Sequence, residues 1–530
     1  MQRAAEGPER AFVLGLDGVP WRLIERWTDA GELPNFARIR EEGAAGELRS
    51  TTPAVTSLAW PSIATGNWPG EHGIYGFRRV TPDYGQRMNT SDDVRRPALW
   101  DVLTPAVVGN VPLTYPAGPL EGRMVTGMTT PATDEGFAWP PGLAEDVRER
   151  IPDYRIGLQW GDYAGRVGEF MTDLDSLVAS RRALMELLME TEDWRLFFFV
   201  YTAPDRLQHL VWDDATLLEH YRTLDGILGD AMGYARDRDA ALFVVSDHGF
   251  GPVEGFVRCN RVLEEAGYLS RQSGSGTRGI LARAGVSRER VRSALDSLGL
   301  SPDRLLRYLP RSLVERVAAG IPGSHGLYDV DHAGTEAFVV GTDTLYVNDV
   351  DRFENGTVGP ADVPRIKREL TGLFEGVVHP ETGERLLEVG DGADLFDDDR
   401  WAPDLVVEGR PGYETITGLD DAVYRPADGP KVAGHRPEGV FLAWGPGIQG
   451  GAAPEGATVV DVAPTVLHAV DEPVGKGMNG RVLREVFAGT RAEDPVARAA
   501  YEGDAGGPGD AGGDDYEAVE ERLRGLGYIE

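Results

Sequence analysis

Short apolar runs recur along the chain and are separated by longer segments with amphipathic, helical spacing. The runs at 11–16 (AFVLGL), 196–201 (LFFFVY) and 241–245 (ALFVV) have the length and composition of strands buried on both faces. Helices are predicted around these runs at 19–43, 171–192 and 205–235. This alternation predicts an α/β fold with a mostly parallel central sheet that is covered by helices on both faces.

Further runs extend this pattern toward the end of the chain. Additional strands are predicted at 124–128, 336–341, 343–349, 403–409 and 440–447, and a last helix around 459–470. Between about 266 and 321 the pattern changes to a Gly/Ser/Arg-rich stretch followed by basic amphipathic helices. We therefore predict three parts: a core of residues 1–263 and 333–498, a helical insertion or cap at 264–332, and an acidic, Gly-rich tail with a short helix at 499–530.

The chain is strongly acidic, with a formal net charge of −33 over 530 residues. Such a surface repels phosphates and anionic lipids, so a nucleic acid duplex is not an expected partner. Lys367, Lys431 and Lys476 are the only lysines. This acid-rich, lysine-poor composition resembles that of halophilic, haloarchaeal proteins, in which dense salt screens the self-repulsion.

Cysteine content and hydropathy bear on the cellular compartment in which the protein is expected. Cys259 is the single cysteine, which excludes an intramolecular disulfide and a cysteine-built zinc site. The first residues lack the apolar segment of a secretory signal, and no run approaches the ~18 apolar residues of a membrane span. We therefore expect a cytoplasmic protein without a membrane span.

Acidic and histidine side chains follow the predicted strands or begin the next helix. Asp17 ends the first strand, and Asp247 and His248 end the third. Asp205 and His209 are four residues apart, so they share one helix face. Because functional residues gather beyond the carboxyl ends of parallel strands, the candidate metal ligands are Asp17, Asp205, His209, Asp247, His248 and His435, the last in the predicted loop 433–439 (AGHRPEG).

Each of these six residues has a simpler interpretation taken alone. Asp17 before a glycine is typical of a turn, and an Asp/His pair at this spacing is common on helix surfaces. His435 and Asp247-His248 are compatible with ordinary loop residues. All of these interpretations would have to hold together, so we interpret the set as a metal site. Six mixed nitrogen and oxygen ligands exceed one four-coordinate zinc and suit two ions.

The polar stretch at 51–77 supplies candidate hydroxyls. Thr56 and Ser57 precede a predicted helix, where Ser and Thr are common caps. A hydroxyl at a helix N-terminus is also placed for chemistry on an anion, because free N–H groups and the helix dipole point there. Two ions about 3.5–4 Å apart can clamp the attacking and leaving oxygens at phosphorus, and a bound ion would activate a hydroxyl as nucleophile.

The sequence resembles the type I phosphodiesterase/nucleotide pyrophosphatase family of the alkaline phosphatase superfamily, and its prokaryotic members in particular. The motifs are LGLDG at 14–18, VTSLAWPSIATGNWPGEHGIYGF at 55–77, PDRLQH at 204–209, VVSDHGFG at 244–251 and GHRPEGVFLAWGPGI at 434–448. Segments 110–128 and 461–470 are also similar to that family. The resemblance implies an alkaline phosphatase-like three-layer α/β/α sandwich.

The resemblance also assigns roles to the candidate residues. It implies that Thr56 is the nucleophile and a ligand of one ion, together with Asp17, Asp247 and His248. It assigns Asp205, His209 and His435 to a second ion, and leaves capping or packing to Ser57. The usual metal of the family is zinc, and manganese occurs in relatives.

One residue departs from the family pattern. Nucleotide pyrophosphatases carry an asparagine at the position of Phe77, where it contacts a phosphate oxygen. Phenylalanine cannot donate that hydrogen bond, which argues against nucleotide pyrophosphatase activity as such. Arg78 and Arg79 are the candidates to replace it.

The sequence therefore predicts a metal-dependent phosphoester hydrolase of phosphodiesterase/pyrophosphatase type. It would act on a small phosphorylated substrate through a phospho-threonine intermediate. Two alternatives remain: a phosphomonoesterase or mutase-like phosphotransferase, and a catalytically idle nucleotide- or glycan-related binding protein that kept the fold.

Overall fold

The computed structural model describes residues 8–133, 136–158, 160–272, 330–341, 343–396, 399–419, 422–501, 519–520 and 523. Most of the predicted insertion at 264–332 and most of the tail at 499–530 lie outside the described residues, so these boundaries stay predictions.

The described chain contains 21 strands. In chain order they are β1 Arg10–Leu16, β2 Ala44–Arg49, β3 Arg78–Val80, β4 Gln86–Met88, β5 Ala106–Gly109, β6 Gly122–Val125, β7 Ala138–Trp139, β8 Leu196–Tyr201, β9 Ala240–Val245, β10 Gly249–Pro252, β11 Gly255–Arg258, β12 Ala337–Val340, β13 Thr344–Val347, β14 Leu387–Asp391, β15 Leu405–Gly409, β16 Tyr413–Ile416, β17 Tyr424–Pro426, β18 Ala433–Arg436, β19 Glu438–Trp444, β20 Val474–Gly475 and β21 Arg498–Ala499.

Thirteen α-helices are defined in the same parts of the chain. They are α1 Trp21–Asp29, α2 Pro34–Glu42, α3 Thr56–Thr65, α4 Pro69–His72, α5 Leu99–Val102, α6 Pro141–Arg150, α7 Val167–Met189, α8 Ala203–Leu210, α9 Asp214–Asp237, α10 Cys259–Glu265, α11 Val363–Glu375, α12 Gly392–Phe396 and α13 Val462–Ala469. None of these helices is both long and apolar enough to cross a membrane.

Eight strands form the central sheet, in the order β2-β19-β9-β1-β8-β5-β6-β7. The five strands from β9 to β6 are parallel to their neighbours, whereas β19 and β7 pair antiparallel. Along β1, Phe12 and Leu14 pack with α1, α2, α7 and α9, while Ala11 and Val13 pack with α3 and α13. The sheet is therefore buried on both faces, which confirms the predicted three-layer α/β fold.

Strand register brings the predicted site segments to one edge of this sheet. β1 lies between β8 and β9, and Gly15 pairs with Val200 on one side and Val245 on the other. Because all three strands run in the same direction, the residues that follow them emerge together.

Several predicted elements have different bounds in the structure, and the segment predicted as helix at 19–43 contains two helices, α1 and α2. The single helix predicted at 205–235 is wrong: α8 ends at Leu210 and α9 starts at Asp214. Val211 has an extended backbone, and the Asp213 side chain accepts a hydrogen bond from Thr216 N at 3.0 Å, which caps a new helix. The strand predicted at 124–128 is β6, which ends at Val125.

A smaller antiparallel sheet lies apart from the central one, in the order β12-β13-β15-β14. It is built from the strands predicted at 336–341, 343–349 and 403–409, and α11 packs on it through Ile366 and Leu370. The antiparallel pair β10–β18 contributes to the site described below, and β16-β11-β17 forms a separate three-stranded sheet.

The close packing of β1 makes a stability test possible. A Cβ on Gly15 would overlap the Trp60 indole and lie 2.7 Å from Val200 Cγ2. We expect Gly15→Ala to lower the free energy of unfolding by about 1–3 kcal/mol because the core is overpacked. Gly226→Ala in α9, where a Cβ has no neighbour within 4 Å, is the matched control and should stabilise by about 0.5–1 kcal/mol.

Denaturant unfolding of both variants in concentrated salt measures the two changes. A Gly15→Ala protein as stable as the wild type would contradict the packing described for β1.

Candidate metal centre

The six candidate ligands lie at one edge of the central sheet. Asp17 follows β1, Asp247 and His248 follow β9, Asp205 and His209 lie on α8, and His435 lies on β18. Two groups of three have ligand atoms within 4.8 Å of one another, and they share His248: Asp17, Asp247 and His248, and Asp205, His248 and His435.

The first group surrounds His248 Nε2. This atom lies 3.6 Å from Asp17 Oδ1, 3.3 Å from Asp247 Oδ2 and 3.1 Å from Thr56 Oγ1. The hydroxyl at the start of α3 therefore reaches the same point as the ligands that follow β1 and β9.

In the second group, His435 Nε2 lies 3.2 Å from Asp205 Oδ1. His209 belongs to neither group of three, but its Nε2 lies 3.4 Å from the same Asp205 oxygen. The rings of His248 and His435 stack with their centroids 3.9 Å apart, so the two groups are contiguous.

His435 does not lie in a loop, as the sequence suggested. It lies on β18, which pairs antiparallel with β10 so that His435 is opposite Phe250. The segment AGHRPEG has no apolar run of its own, and its strand conformation depends on pairing with β10. This pairing places His435 beside His248.

All three histidines face a backbone carbonyl with Nδ1. The acceptors are Ala433 O for His209 at 3.2 Å, Gly249 O for His248 at 3.1 Å and Ala54 O for His435 at 3.1 Å. Nδ1–H donates in this arrangement, and Nε2 is the ring atom that faces the carboxylates. A second hydrogen bond of this kind is characteristic of metal-binding histidines.

The aspartates are held by one oxygen each and present the other to the site. Trp60 Nε1 donates to Asp17 Oδ2 and Gly18 N donates to Asp247 Oδ1, both at 3.1 Å. Asp17 Oδ1, Asp247 Oδ2 and Asp205 Oδ2 are buried and have no hydrogen-bond partner within the described part of the chain. Buried oxygens without partners are costly, and divalent cations would satisfy them.

Burial and mutual repulsion shift the carboxyl pKa values. Burial, then the charges of Asp247 and Asp205, raises the pKa of Asp17 well above its usual value. Burial, assisted by Asp205, also raises the pKa of Asp247. For Asp205 burial acts in the same direction, but the neighbouring His209 is the strongest opposing influence, and the pKa lies well below its usual value.

Burial keeps two of the histidines neutral. It lowers the pKa of His248 to about 4 and that of His435 to about 3. At pH 7 both rings therefore offer an Nε2 lone pair rather than a proton. Carboxylate oxygens and neutral imidazoles are the donors that zinc and manganese accept, so the residues present fit two divalent ions.

Helix α3 places the two hydroxyls differently. Its N-cap residue is Val55, and no side chain caps the helix. Thr56 Oγ1 faces His248, whereas Ser57 Oγ is buried and has no hydrogen-bond partner among the described residues. Ser57 therefore does not cap the helix, because its hydroxyl contacts no backbone N–H.

Two cavities flank the segment before α3, and Val55 contributes to both. A cavity of about 740 Å³ opens beside His209 and His435 and is within the size range of small-molecule sites. A second cavity, of about 40 Å³, is lined by Ser57 and Phe77, and its lining includes neither Thr56 nor any of the six candidate ligands.

Arg78 and Arg79, the predicted substitutes for the missing asparagine, have protein partners. Arg78 Nη1 donates to Gln86 Oε1 at 3.0 Å, and Arg79 Nη2 lies 3.7 Å from Asp93 Oδ1. Phe77 itself is buried.

Sequence reasoning missed residues that support the ligands. Trp60 orients Asp17, and Gln208 Nε2 donates to Gly18 O at 2.7 Å. Both residues could have been found from their positions in the sequence. Trp60 lies four residues after Thr56, on the same face of α3, and Gln208 belongs to the PDRLQH motif.

Solved structures with a similar fold include phosphonoacetate hydrolase from Sinorhizobium meliloti 1021. In complex with phosphonoformate it is 15% identical, with a TM-score of 0.54 over 88% of this chain and 96% of that chain. In complex with phosphonoacetate it is 14% identical, with a TM-score of 0.52 over the same shares. The similarity to these two structures supports the three-layer α/β fold described above.

Murine ectonucleotide pyrophosphatase/phosphodiesterase 5, in an inactive form with AMP, is 12% identical, with a TM-score of 0.48 over 88% of this chain and 95% of that chain. No curated protein matches the chain. The profile of the type I phosphodiesterase/nucleotide pyrophosphatase family matches residues 11–336, which is more than half of the chain. The chain therefore belongs to the type I phosphodiesterase/nucleotide pyrophosphatase family.

Proposed function

We propose that the protein hydrolyses small phosphate esters with Thr56 as the nucleophile and two divalent metal ions. The observation that carries this proposal is the grouping of buried carboxylate oxygens and imidazole Nε2 atoms around His248, whose Nε2 lies 3.1 Å from the Thr56 hydroxyl oxygen. Membership of the family supports the same reaction class.

Asp17, Asp247, His248 and Thr56 would hold one ion, and Asp205, His209 and His435 the other. When bound, the ions supply Lewis-acid stabilisation of the phosphoryl oxygens and lower the pKa of the Thr56 hydroxyl. The donor set suits zinc, and manganese is the alternative.

The residues of α3 position the reacting group. Thr56 is the first residue of the helix. Leu58 N and Ala59 N donate to the carbonyl of the N-cap residue Val55, and the N–H groups that precede them in a helix have no acceptor one turn back. These N–H groups and the helix dipole favour a phosphoryl oxygen next to Thr56 Oγ1.

The reaction would then proceed in two displacements. Thr56 Oγ1 loses its proton and forms a bond to phosphorus as the bond to the leaving oxygen breaks. The leaving oxygen takes up a proton, so the products are a phospho-threonine and a free alcohol or phosphate. Water then attacks phosphorus from the side the leaving group has vacated, and Thr56 Oγ1 leaves and regains a proton. The cavity of about 740 Å³ beside His209 and His435 gives space to the leaving group and to this water.

Replacement of the nucleophile tests the proposed role of Thr56. We expect Thr56→Ala to lower kcat on p-nitrophenyl phosphate and bis-p-nitrophenyl phosphate by at least ~10³-fold with Zn²⁺ or Mn²⁺ present. Thr65→Ala, at the other end of α3, is the matched control, because the Thr65 hydroxyl only donates to Pro61 O. Wild-type turnover by Thr56→Ala would exclude Thr56 as the nucleophile.

Metal content tests the proposed ligands without an activity assay. Wild-type protein that is supplemented with Zn²⁺ or Mn²⁺ and then dialysed should retain about two ions per chain. Asp205→Asn should retain about one, because the variant lacks a carboxylate charge at the second ion. Asp225→Asn is the control: this buried carboxylate accepts from Asn35 N and Phe36 N, away from the site.

The metal content per chain of wild type and of Asp205→Asn is measured by elemental mass spectrometry on protein kept in concentrated salt. Clearly less than one ion per wild-type chain would favour the catalytically idle binding protein.

A further inference from the structure

Arg206 is a buried cation that the proposed mechanism does not use. It follows the candidate ligand Asp205 on α8, and its side chain is 1% exposed. A guanidinium carries a permanent positive charge, and a buried charge is costly unless an opposite charge lies near it. Its place in the first turn of a helix adds to this cost, because the helix dipole disfavours a cation there. Arg206 therefore requires a compensating charge.

The hydrogen bonds of Arg206 do not supply this charge. Nε donates to Leu158 O at 3.2 Å, Nη1 donates to Thr202 O at 2.9 Å, and Nη2 donates to Met128 Sδ at 3.3 Å. All three acceptors are uncharged. They occupy each nitrogen of the guanidinium and so fix its position in the interior.

The compensating charge comes from the candidate metal centre. Arg206 Nη1 lies 4.0 Å from Asp205 Oδ2, and Asp205 is the only carboxylate within that distance of Arg206 in the described part of the chain. This separation is too long for a hydrogen bond but short enough for charge attraction. Burial is the main cause that raises the pKa of Asp17, and the charge of Arg206 opposes it. The guanidinium therefore acts on two of the three aspartates.

The separation also leaves the ligand oxygens available. Asp205 Oδ2 and Asp17 Oδ1 are buried and have no hydrogen-bond partner among the described residues. A guanidinium in direct contact with Asp205 would form paired hydrogen bonds to the carboxylate and compete with a metal ion for its oxygens. Because other acceptors hold Arg206 in place, it offsets the repulsion among the carboxylates without occupying these oxygens.

We infer that Arg206 is a built-in counter-cation of the metal centre, which holds the aspartates together before an ion binds and weakens the binding of the ion at Asp205. The inference rests on the proposed function, which assigns Asp205 to the second ion. Arg206 acts through the aspartates and is therefore a positioning residue. The two effects have opposite signs, because one positive charge attracts the carboxylates and repels a divalent cation.

Two substitutions separate the charge of Arg206 from its hydrogen bonds. Arg206→Met removes the charge and keeps much of the side-chain volume, whereas Arg206→Lys keeps the charge. The affinity for Zn²⁺ is measured by competition with a chromophoric chelator, in concentrated salt and at one fixed pH. Arg206→Met should bind Zn²⁺ at least ~10-fold more tightly than wild type, and Arg206→Lys should stay within about 3-fold of wild type.

Arg181 on α7 provides the matched control. It is also a buried arginine that donates to backbone carbonyls, since Nη2 lies 2.6 Å from both Arg155 O and Ile156 O. Unlike Arg206, it forms no ion pair with any described residue. Arg181→Met should therefore leave the affinity for Zn²⁺ within about 3-fold of wild type.

Thermal unfolding adds a readout that a purely structural role would not move. Without metal, Arg206→Met should have a lower Tm than wild type. Zn²⁺ should then raise the Tm of Arg206→Met by more than it raises that of wild type, because the ions replace the missing positive charge. A structural brace alone would lower the Tm with and without metal and would not tighten Zn²⁺ binding.

Three results overturn the inference alone: a folded Arg206→Met that binds Zn²⁺ no more tightly than wild type, the same change in Arg206→Lys as in Arg206→Met, or an equal gain in affinity for Arg181→Met. If Arg206→Met does not fold even with Zn²⁺, Arg206→Lys decides. A folded lysine variant with wild-type affinity supports the inference, and one that also fails to fold overturns it. Wild-type protein that binds clearly less than one ion overturns the proposed function and this inference with it.

Discussion

The mutual repulsion of three buried carboxylates is the constraint on which the site depends. Asp17, Asp205 and Asp247 are fully buried and face one another where β1, α8 and β9 meet. Each has an oxygen for which the described protein provides no hydrogen bond. A fold that brings such groups together gains stability when cations bind between them, so metal binding and the integrity of this sheet edge are expected to be coupled.

The histidines connect this edge to the rest of the chain. His435 Nδ1 faces Ala54 O, two residues before Thr56, and His209 Nδ1 faces Ala433 O, two residues before His435. These contacts join the segment that precedes α3, the β10–β18 pair and α8 in one network. The position of the proposed nucleophile is therefore set by the same side chains that are proposed to bind the ions.

The central sheet and the set of candidate ligands at its edge could be predicted from sequence because they depend on local signals. β1, β8 and β9 are uninterrupted apolar runs, and Asp17, Asp205 and Asp247 follow them closely. The break between α8 and α9 was missed because Val211 and Trp212 continue the apolar pattern of a helix.

Features formed by distant parts of the chain could not be predicted in this way. The strand around His435 exists only through its pairing with β10, and the wall of the small cavity combines Ser57 and Phe77 with Tyr346 of β13. The isolation of Ser57 is likewise a property of packing, since its sequence position is equally typical of a helix cap.

The central claim is that Thr56 forms a covalent bond to phosphorus during turnover. Mass spectrometry of acid-quenched enzyme, digested after rapid mixing with p-nitrophenyl phosphate and metal, tests this directly. We expect a phosphoryl group on Thr56 that appears during turnover and disappears when substrate is exhausted. Turnover with no adduct, or with the adduct on Ser57 or another residue, would contradict it.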